Sequence, residues 1–298
     1  MAVRPAAIAV PARARPTSAP WTVVARFVRK KPLGAAGGAL MLVMLVTAVF
    51  ADILQTHDPI ATNAAYTLGQ PNLEHFLGTD HLGRDIYSRI VHGARVSLVV
   101  GVASTLLGSV LGGIIGLLSG YIGGKTDLVT QRILDILQGL PLLVLALVMS
   151  AALGPSVQNV VIAISIPVIP RVARVVRAAA MSVKENVYVE AVQALGATRR
   201  RVILQHIIPN VAAPYIIMLT AQLSAAILAE AALSYLGLGA AEPTPSWGLM
   251  LSGSAPSYAE KAPWIGLFPG IAISLGVFGF NLFGDSLRDA LDPKLRKG

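Results

Sequence analysis

Six stretches of this chain are long and apolar enough to cross a bilayer as helices. A spanning helix needs about 20 mostly apolar residues. Runs at roughly 33–54, 96–119, 129–153, 156–176, 211–238 and 265–287 meet that requirement. The chain is 54% hydrophobic and 13% charged, against about 25% charged in a soluble domain. An ordinary globular fold is therefore excluded, and the expected class is an all-α polytopic membrane protein with six transmembrane helices. The run at 33–54 exceeds the ~7–15 apolar residues of a cleaved signal peptide, which favours an uncleaved span.

Lys and Arg flanking the runs set the orientation. With the N-terminus inside, the inner segments hold 20 of the 24 basic residues, including Lys125, Arg132, Arg171, Arg174, Arg177 and Arg288. The outer segments hold four: Arg84, Arg89, Arg95 and Lys261. Both termini are thus expected in the cytoplasm. The net charge of +9 is a topology signal here, not a nucleic-acid footprint. Residues 1–32, rich in Pro, Ala and Arg, read as a basic cytoplasmic tail.

In the second run Gly108, Gly112, Gly116, Gly120 and Gly124 recur every four residues. Residues four apart share a helix face, so this series predicts close approach of another backbone. Gly266, Gly270 and Ser274 form a shorter version in the last run. Pro141, Pro167 and Pro170 predict kinks in or beside runs three and four.

The inner stretch 177–210 contains MSVKENVYVEAVQALGATRRRVILQHIIPN from residue 181 onward. Its pattern predicts a helix over 184–195, a break at Gly196, and a second helix over 198–208 ended by Pro209. Two readings stand beside each other. One is a compact knob that carries force from a soluble partner into the spans. The other is an amphipathic loop on lipid headgroups, which Arg199, Arg200 and Arg201 would also suit.

Glu190, Ala191 and Val192, with Gly196 four residues on and His206-Ile207-Ile208-Pro209 after nine more, resemble the E-A-A loop of ABC importer permeases. The departures are Val192 for the third Ala, His206 for Ile and Ile208 for Leu. The resemblance implies that this loop couples to an ATPase through Glu190, Ala191, Gly196, Ala197, Arg199, Arg200 and Pro209. Three further blocks narrow it. FLGTDHLGRDIYSRIVHGARVSL at 76–98, EAALSYLGLGAAEPTPSWG at 230–248 and DALDPKLR at 289–296 resemble dipeptide, oligopeptide and nickel importer permeases.

The resemblance implies a type I ABC importer permease core, with the first span peripheral and the chain corresponding to the C-type subunit. Its implied organisation is a tail at 1–32, a first span with external segment at 33–95, a five-helix core at 96–288 with the coupling loop at 177–210, and a cytoplasmic end at 289–298. The implied setting is a bacterial plasma membrane. The implied partners are a B-type permease in a heterodimer, two ABC ATPase domains, an extracytoplasmic substrate-binding protein, a peptide substrate and membrane lipid, with no nucleic acid. Nickel chelate, glutathione and haem are the alternative cargoes. No cofactor is expected in this chain, and ATP and Mg belong to the partner subunits.

In the 76–98 block, Asp80, Arg84 and Asp85 either shape the external mouth or help to dock the binding protein. Asp85 and Arg89, four apart, suggest an exposed ion pair. Trp247 reads as an interfacial anchor or a contact for the binding protein. Glu230 is the acid deepest within an apolar run, and intramembrane acids are functional candidates. It faces either a water-filled vestibule or a polar group of the partner permease. Asp285 and Asp289 read as partners of nearby Arg residues. An ATP-independent secondary transporter would need more such groups along its spans.

Other chemistries find little support. GYIGGKT at 120–126 lacks the first glycine of a phosphate-binding loop and has no preceding strand. The chain has no cysteine, which excludes thiolate chemistry. His57, His75, His81, His92 and His206 show no ligand spacing, so no catalytic or metal site is expected.

Overall fold

The computed structural model describes residues 28–252 and 254–291. Most of the basic tail and most of the DALDPKLR block lie outside the described residues. The structure is helical, and among the described residues the β-type pairing is a single bridge between Thr79 and Asp85. Among the described residues, five helices are long and apolar enough to cross a membrane, and six if one bent pair counts as a span.

The chain begins with α1 (Pro32–Val49) and the short α2 (Ala51–Leu54). A polar segment then leads to α3 (Ile86–Ile122), 37 residues long, or about 55 Å at 1.5 Å per residue. It starts ten residues before the apolar run at 96 because Asp85 caps it: the Asp85 carboxylate accepts the Ser88 backbone N–H. The first turns of α3 are therefore helical despite carrying Arg89, His92 and Arg95.

The third expected span is not one straight helix. It divides into α4 (Gly124–Gln138) and α5 (Leu142–Leu153), bent by 83° at the break. Pro141 lacks an N–H and sits in extended backbone at the N-cap of α5 (ψ 142°), so the first helix cannot continue through it. At 12 residues, α5 is about 18 Å long, short of a ~30 Å hydrocarbon core. The amphipathic α4 is held to the helix after α5 (Val157–Lys184) by ion pairs Asp127–Arg177 and Asp135–Arg174, both 2.5 Å.

The next helix, α6 (Val157–Lys184), continues through Pro167 and Pro170. The short α7 (Val187–Ala194) and α8 (Arg199–Val202) follow, and a π-helical turn (Ile203–Ile207) joins α8 to α9 (Ile208–Tyr235). Pro209 does not end this helix. It can donate no hydrogen bond and its ring would crowd the preceding turn. The wider turn relieves this, with the Ile208 N–H reaching the Ile203 carbonyl, five residues back. The chain closes with α10 (Trp247–Leu251), α11 (Ser254–Ser257) and α12 (Trp264–Leu291).

The packing is organised by α3 against α6. A Cβ at Gly108, Gly112, Gly116 or Gly120 would lie 2.6, 2.5, 2.2 or 2.8 Å from the carbonyl oxygens of Ser165, Ile169, Ala173 and Arg177. Four glycines thus meet four backbone carbonyls, one per turn. Gly124 is not part of the series: it lies past the end of α3, with nothing within 4 Å of a Cβ placed there. The stripe predicted at Gly266, Gly270 and Ser274 makes no close approach either. The last helix instead meets α1 through Gly37, where a Cβ would fall 2.7 Å from the Gly279 oxygen. Helix α1 is peripheral, with 22% of its apolar window buried against 56% for α6. Lys31 and Asp289 pair at 2.6 Å, which puts the start of α1 and the end of α12 at one end of the bundle.

Gly116→Ala should therefore destabilise the purified chain by about 1–3 kcal/mol, the range for overpacking, read as a lower unfolding temperature in detergent. Gly270→Ala, with open space at its Cβ, should leave that temperature unchanged or slightly raised. Equal behaviour of the two variants would refute the backbone seam.

Candidate functional site: a two-sided knob and a buried polar cluster at the opposite end

The segment joining α6 to α9 is a two-sided knob. Its inner side is apolar and buried: Val189 of α7, Val202 of α8 and Ile207 of the π turn are each 0% exposed. They pack with Val172, Val176 and Ala180 of α6, Tyr121 of α3 and Val211 of α9. Its outer side presents Glu190, Ala191, Arg199 and Arg200, together with two apolar side chains, Val187 at 79% and Leu195 at 88% exposure. Ala197 is half-buried, and Pro209 is exposed beside the π turn.

Local chemistry sets this shape. Asn186 ends α6, donating its side-chain amide to the Ser182 and Val183 carbonyls, and begins α7. Helix α6 thus runs on to Lys184, which the sequence pattern had placed at the start of the next helix. Gly196 turns the chain at φ +83°, and nothing lies within 4 Å of a Cβ placed there. A side chain at 196 is therefore opposed by backbone conformation and not by any neighbour in this chain. The turn is closed by Gly196 N–H to Gln193 O (2.9 Å) and Ala197 N–H to Val192 O (3.2 Å). Thr198 then caps α8.

Three residues outside the predicted set lock the knob to the bundle. The Lys184 ammonium donates to the Tyr121 carbonyl at 2.7 Å, near the end of α3. The Asn210 amide donates to the Tyr188 hydroxyl (3.2 Å) and the His206 carbonyl (2.7 Å), bridging α7 and α9. Asn210 stands in the quoted HIIPN stretch. Nothing in the spacing marks Lys184 or Tyr188.

At the opposite end, the charged block before α3 is turned inward. Asp80, Arg84, Asp85 and Arg89 are each 5% exposed or less. The expected Asp85–Arg89 pair does not form. Asp80 receives the Arg84 guanidinium at 2.6 Å, with Arg89 at 3.9 Å, while Arg89 donates to the Pro59 carbonyl at 3.0 Å. Asp85 accepts from the Ser88 N–H on one oxygen and faces His75 Nδ1 at 3.0 Å on the other. His57 lies beside this pair, so the fold joins three residues whose sequence spacing carries no ligand signal.

Trp247 is 3% exposed, inside the protein and not at its lipid-facing rim. Its indole N–H donates to the Ile90 carbonyl at 2.9 Å, against Gly93, where a Cβ would fall 2.5 Å from the ring. Glu230 is 1% exposed, enclosed by its own chain. Its carboxylate accepts hydroxyls from Ser97 of α3 (3.0 Å), Ser234 of α9 (2.8 Å) and Ser246 at the start of α10 (3.2 Å). One buried carboxylate thus ties three elements together, and Gly248 lets α10 approach the Ala231 carbonyl. The two remaining acids predicted near the end of α12 differ: Asp289 pairs with Lys31 and not with an arginine, and Asp285 lines a small cleft with Arg288 and Thr220.

Residues 112–297 match the family described as binding-protein-dependent transport system inner membrane component. The dipeptide transport system permease protein DppC of Alkalihalophilus pseudofirmus is 43% identical over 277 residues, covering 93% of this chain and 91% of that protein. The di/tripeptide transport system permease protein DppC of Pseudomonas aeruginosa is 42% identical over 270 residues, covering 88% and 89%. Among solved structures, the inward-facing MetNI methionine ABC transporter gives a TM-score of 0.56 at 19% identity, covering 68% of this chain and 96% of that one. The fold is thus shared with a chain of that solved transporter, and the chain belongs to the family of binding-protein-dependent transport system inner membrane components.

Proposed function

We propose that this chain is the C-type permease of an ATP-driven importer of di- or oligopeptides. The observation that carries the reading is the two-sided knob, whose exposed face suits a docking partner and whose buried face is packed into three long helices. The peptide cargo rests on the relatives, which are named as dipeptide and di/tripeptide permeases and match along most of both chains.

In this reading α7 docks on an ATPase subunit through Val187, Glu190, Ala191 and Leu195, with Arg199 and Arg200 beside them. ATP and Mg are bound by that subunit. A related B-type permease completes the pathway, and a substrate-binding protein delivers peptide at the opposite end. The knob lies in the cytoplasm, with both termini on its side. ATPase closure moves the knob, and Val189, Val202 and Ile207 pass the displacement to α6 and α9. Helix α3 follows α6 because their backbones are in contact. At the far end, the Glu230 cluster holds α10 across α3 and α9 until these helices shift.

Position 196 tests the coupling. Gly196→Asn should retain much of the ATP-driven uptake, because Asn adopts positive φ more readily than other side chains. Gly196→Val should lose uptake by at least about tenfold, since a β-branched residue at φ +83° costs roughly 1–3 kcal/mol. Uptake of a labelled short peptide into proteoliposomes holding the whole complex reads this directly. Full activity in the Val variant would remove the loop from the mechanism.

Glu230→Ala should be worse than Glu230→Gln. The Ala variant leaves three buried hydroxyls without their acceptor, at about 1–3 kcal/mol for each group that finds no substitute. The Gln variant keeps one carbonyl oxygen. The Ala protein should unfold at the lower temperature in detergent. Equal stability of wild type and both variants would show that the cluster holds nothing together.

A further inference from the structure

His57, His75 and Asp85 come from three separate places: the segment after α2, the tight turn before α3, and the cap of α3. Each offers one ligand atom, and these atoms lie within 4.8 Å of one another. Two imidazole nitrogens converge on one carboxylate oxygen: His75 Nδ1 is 3.0 Å and His57 Nδ1 4.0 Å from Asp85 Oδ1. A lone His–Asp hydrogen bond would not require the second ring.

The backbone around all three is fixed. The His57 N–H donates to Ser88 Oγ at 3.1 Å. The His75 N–H donates to Asn72 Oδ1 at 2.7 Å, and its carbonyl accepts the Asn72 N–H at 2.9 Å. The other Asp85 oxygen is occupied by the Ser88 N–H (2.8 Å) and the Thr56 hydroxyl (3.3 Å). These bonds aim Oδ1 at the rings, as outer-shell partners orient metal ligands. The His75 ring sits between His57 and Tyr66, at centroid distances of 4.5 and 5.1 Å.

We propose that His57, His75 and Asp85 form a binding site for a divalent first-row transition ion of the zinc class. Two imidazoles and a carboxylate suit a borderline ion, whereas calcium and magnesium take oxygen ligands. A tetrahedral zinc ion at about 2.0–2.1 Å from its ligands separates them by roughly 3.3 Å. Rotation of His57, whose side chain is 36% exposed and whose Nδ1 lies 3.1 Å from the Thr56 hydroxyl, would close the set. Each histidine would present an unprotonated Nδ1, so the His75 Nδ1–Asp85 hydrogen bond is replaced by two bonds to the ion. The bound ion clips the polar segment between α2 and α3 to the start of α3. The site stands apart from any reading of the transported substrate.

The test is a zinc titration of the full-length chain in detergent, without a polyhistidine tag, against a chromophoric zinc indicator. Wild type should bind one equivalent. His57→Ala and His75→Ala should each weaken binding by at least about tenfold. His92→Ala should not, because His92 sits elsewhere, against Gln55 at 2.8 Å. Zinc should raise the unfolding temperature of wild type and not of His57→Ala. Cobalt should give visible bands of tetrahedral intensity in wild type and His92→Ala, and not in His57→Ala or His75→Ala. The half-exposed His57 carries the test if His75→Ala fails to fold. Absence of stoichiometric binding, or equal zinc affinity in wild type and His57→Ala, overturns the site.

Discussion

Contact of bare backbone between α3 and α6 is the constraint on which the rest of the bundle depends. Lipid tails are as apolar as leucine, so apolar surface alone gives helices in a membrane little reason to associate. What remains is packing, and packing is densest where side chains are absent. The four glycines of α3 bring the carbonyls of Ser165, Ile169, Ala173 and Arg177 into contact over about three turns. Both helices extend beyond that seam. At one end Lys184 reaches Tyr121, and at the other Val160 and Ile164 pack with Val100 in the central apolar cluster. Two elements joined along that length move as one body.

The two ends of this body are built from different materials. The knob end is held by aliphatic side chains, Val189, Val202 and Ile207 against Val172 and Val176, whose contacts have no directional preference. The opposite end is held by polar groups that demand specific partners: Glu230 with its three serines, Asp80 with Arg84, and Trp247 with the Ile90 carbonyl. Buried polar groups are costly unless they are satisfied. Each of these clusters is therefore stable in one arrangement and poor in the intermediates around it.

Those clusters are where the sequence was least legible. The apolar runs marked the spans because a 20-residue pattern is a strong signal, and the glycine series marked the α3 seam because its period is that of the helix. The cap at Asp85 lengthened α3 into a stretch whose charges looked external. Pro141 was visible, but the bend it permits depends on where α4 finds its ion pairs with α6. The small residues of the last run were real, yet the contact formed at Gly279, where Gly37 of α1 happens to lie. Glu230 stood out as an intramembrane acid, while its serine partners sit 133 residues before it and 4 and 16 after it. His57 and His75 could not be paired by spacing at all, since the loop that unites them is irregular. Long periodic signals survive in one dimension, and satisfied polar clusters do not.

The same division bears on how displacement at the knob reaches the far end. Ser97 belongs to α3, whereas Glu230 and Ser234 belong to α9, so the Glu230 cluster spans the boundary between the α3–α6 body and its neighbour. Motion of that body alone would pull Ser97 from the carboxylate. The knob, however, grips both sides of the boundary: α7 continues from α6, and α8 with the π turn continues into α9. Asn210 and Tyr188 join the two across the Gly196 turn. In the proposed cycle, a push on α7 is therefore delivered to both helices at once. What matters at Glu230 is the difference between the two displacements. The π turn lies on the α9 branch, whereas Pro167 and Pro170 interrupt the hydrogen-bond ladder of the α6 branch, so the two branches differ in construction. In that cycle, two branches of different construction would transmit the push unequally, and the resulting shear would draw Ser97 away from Glu230.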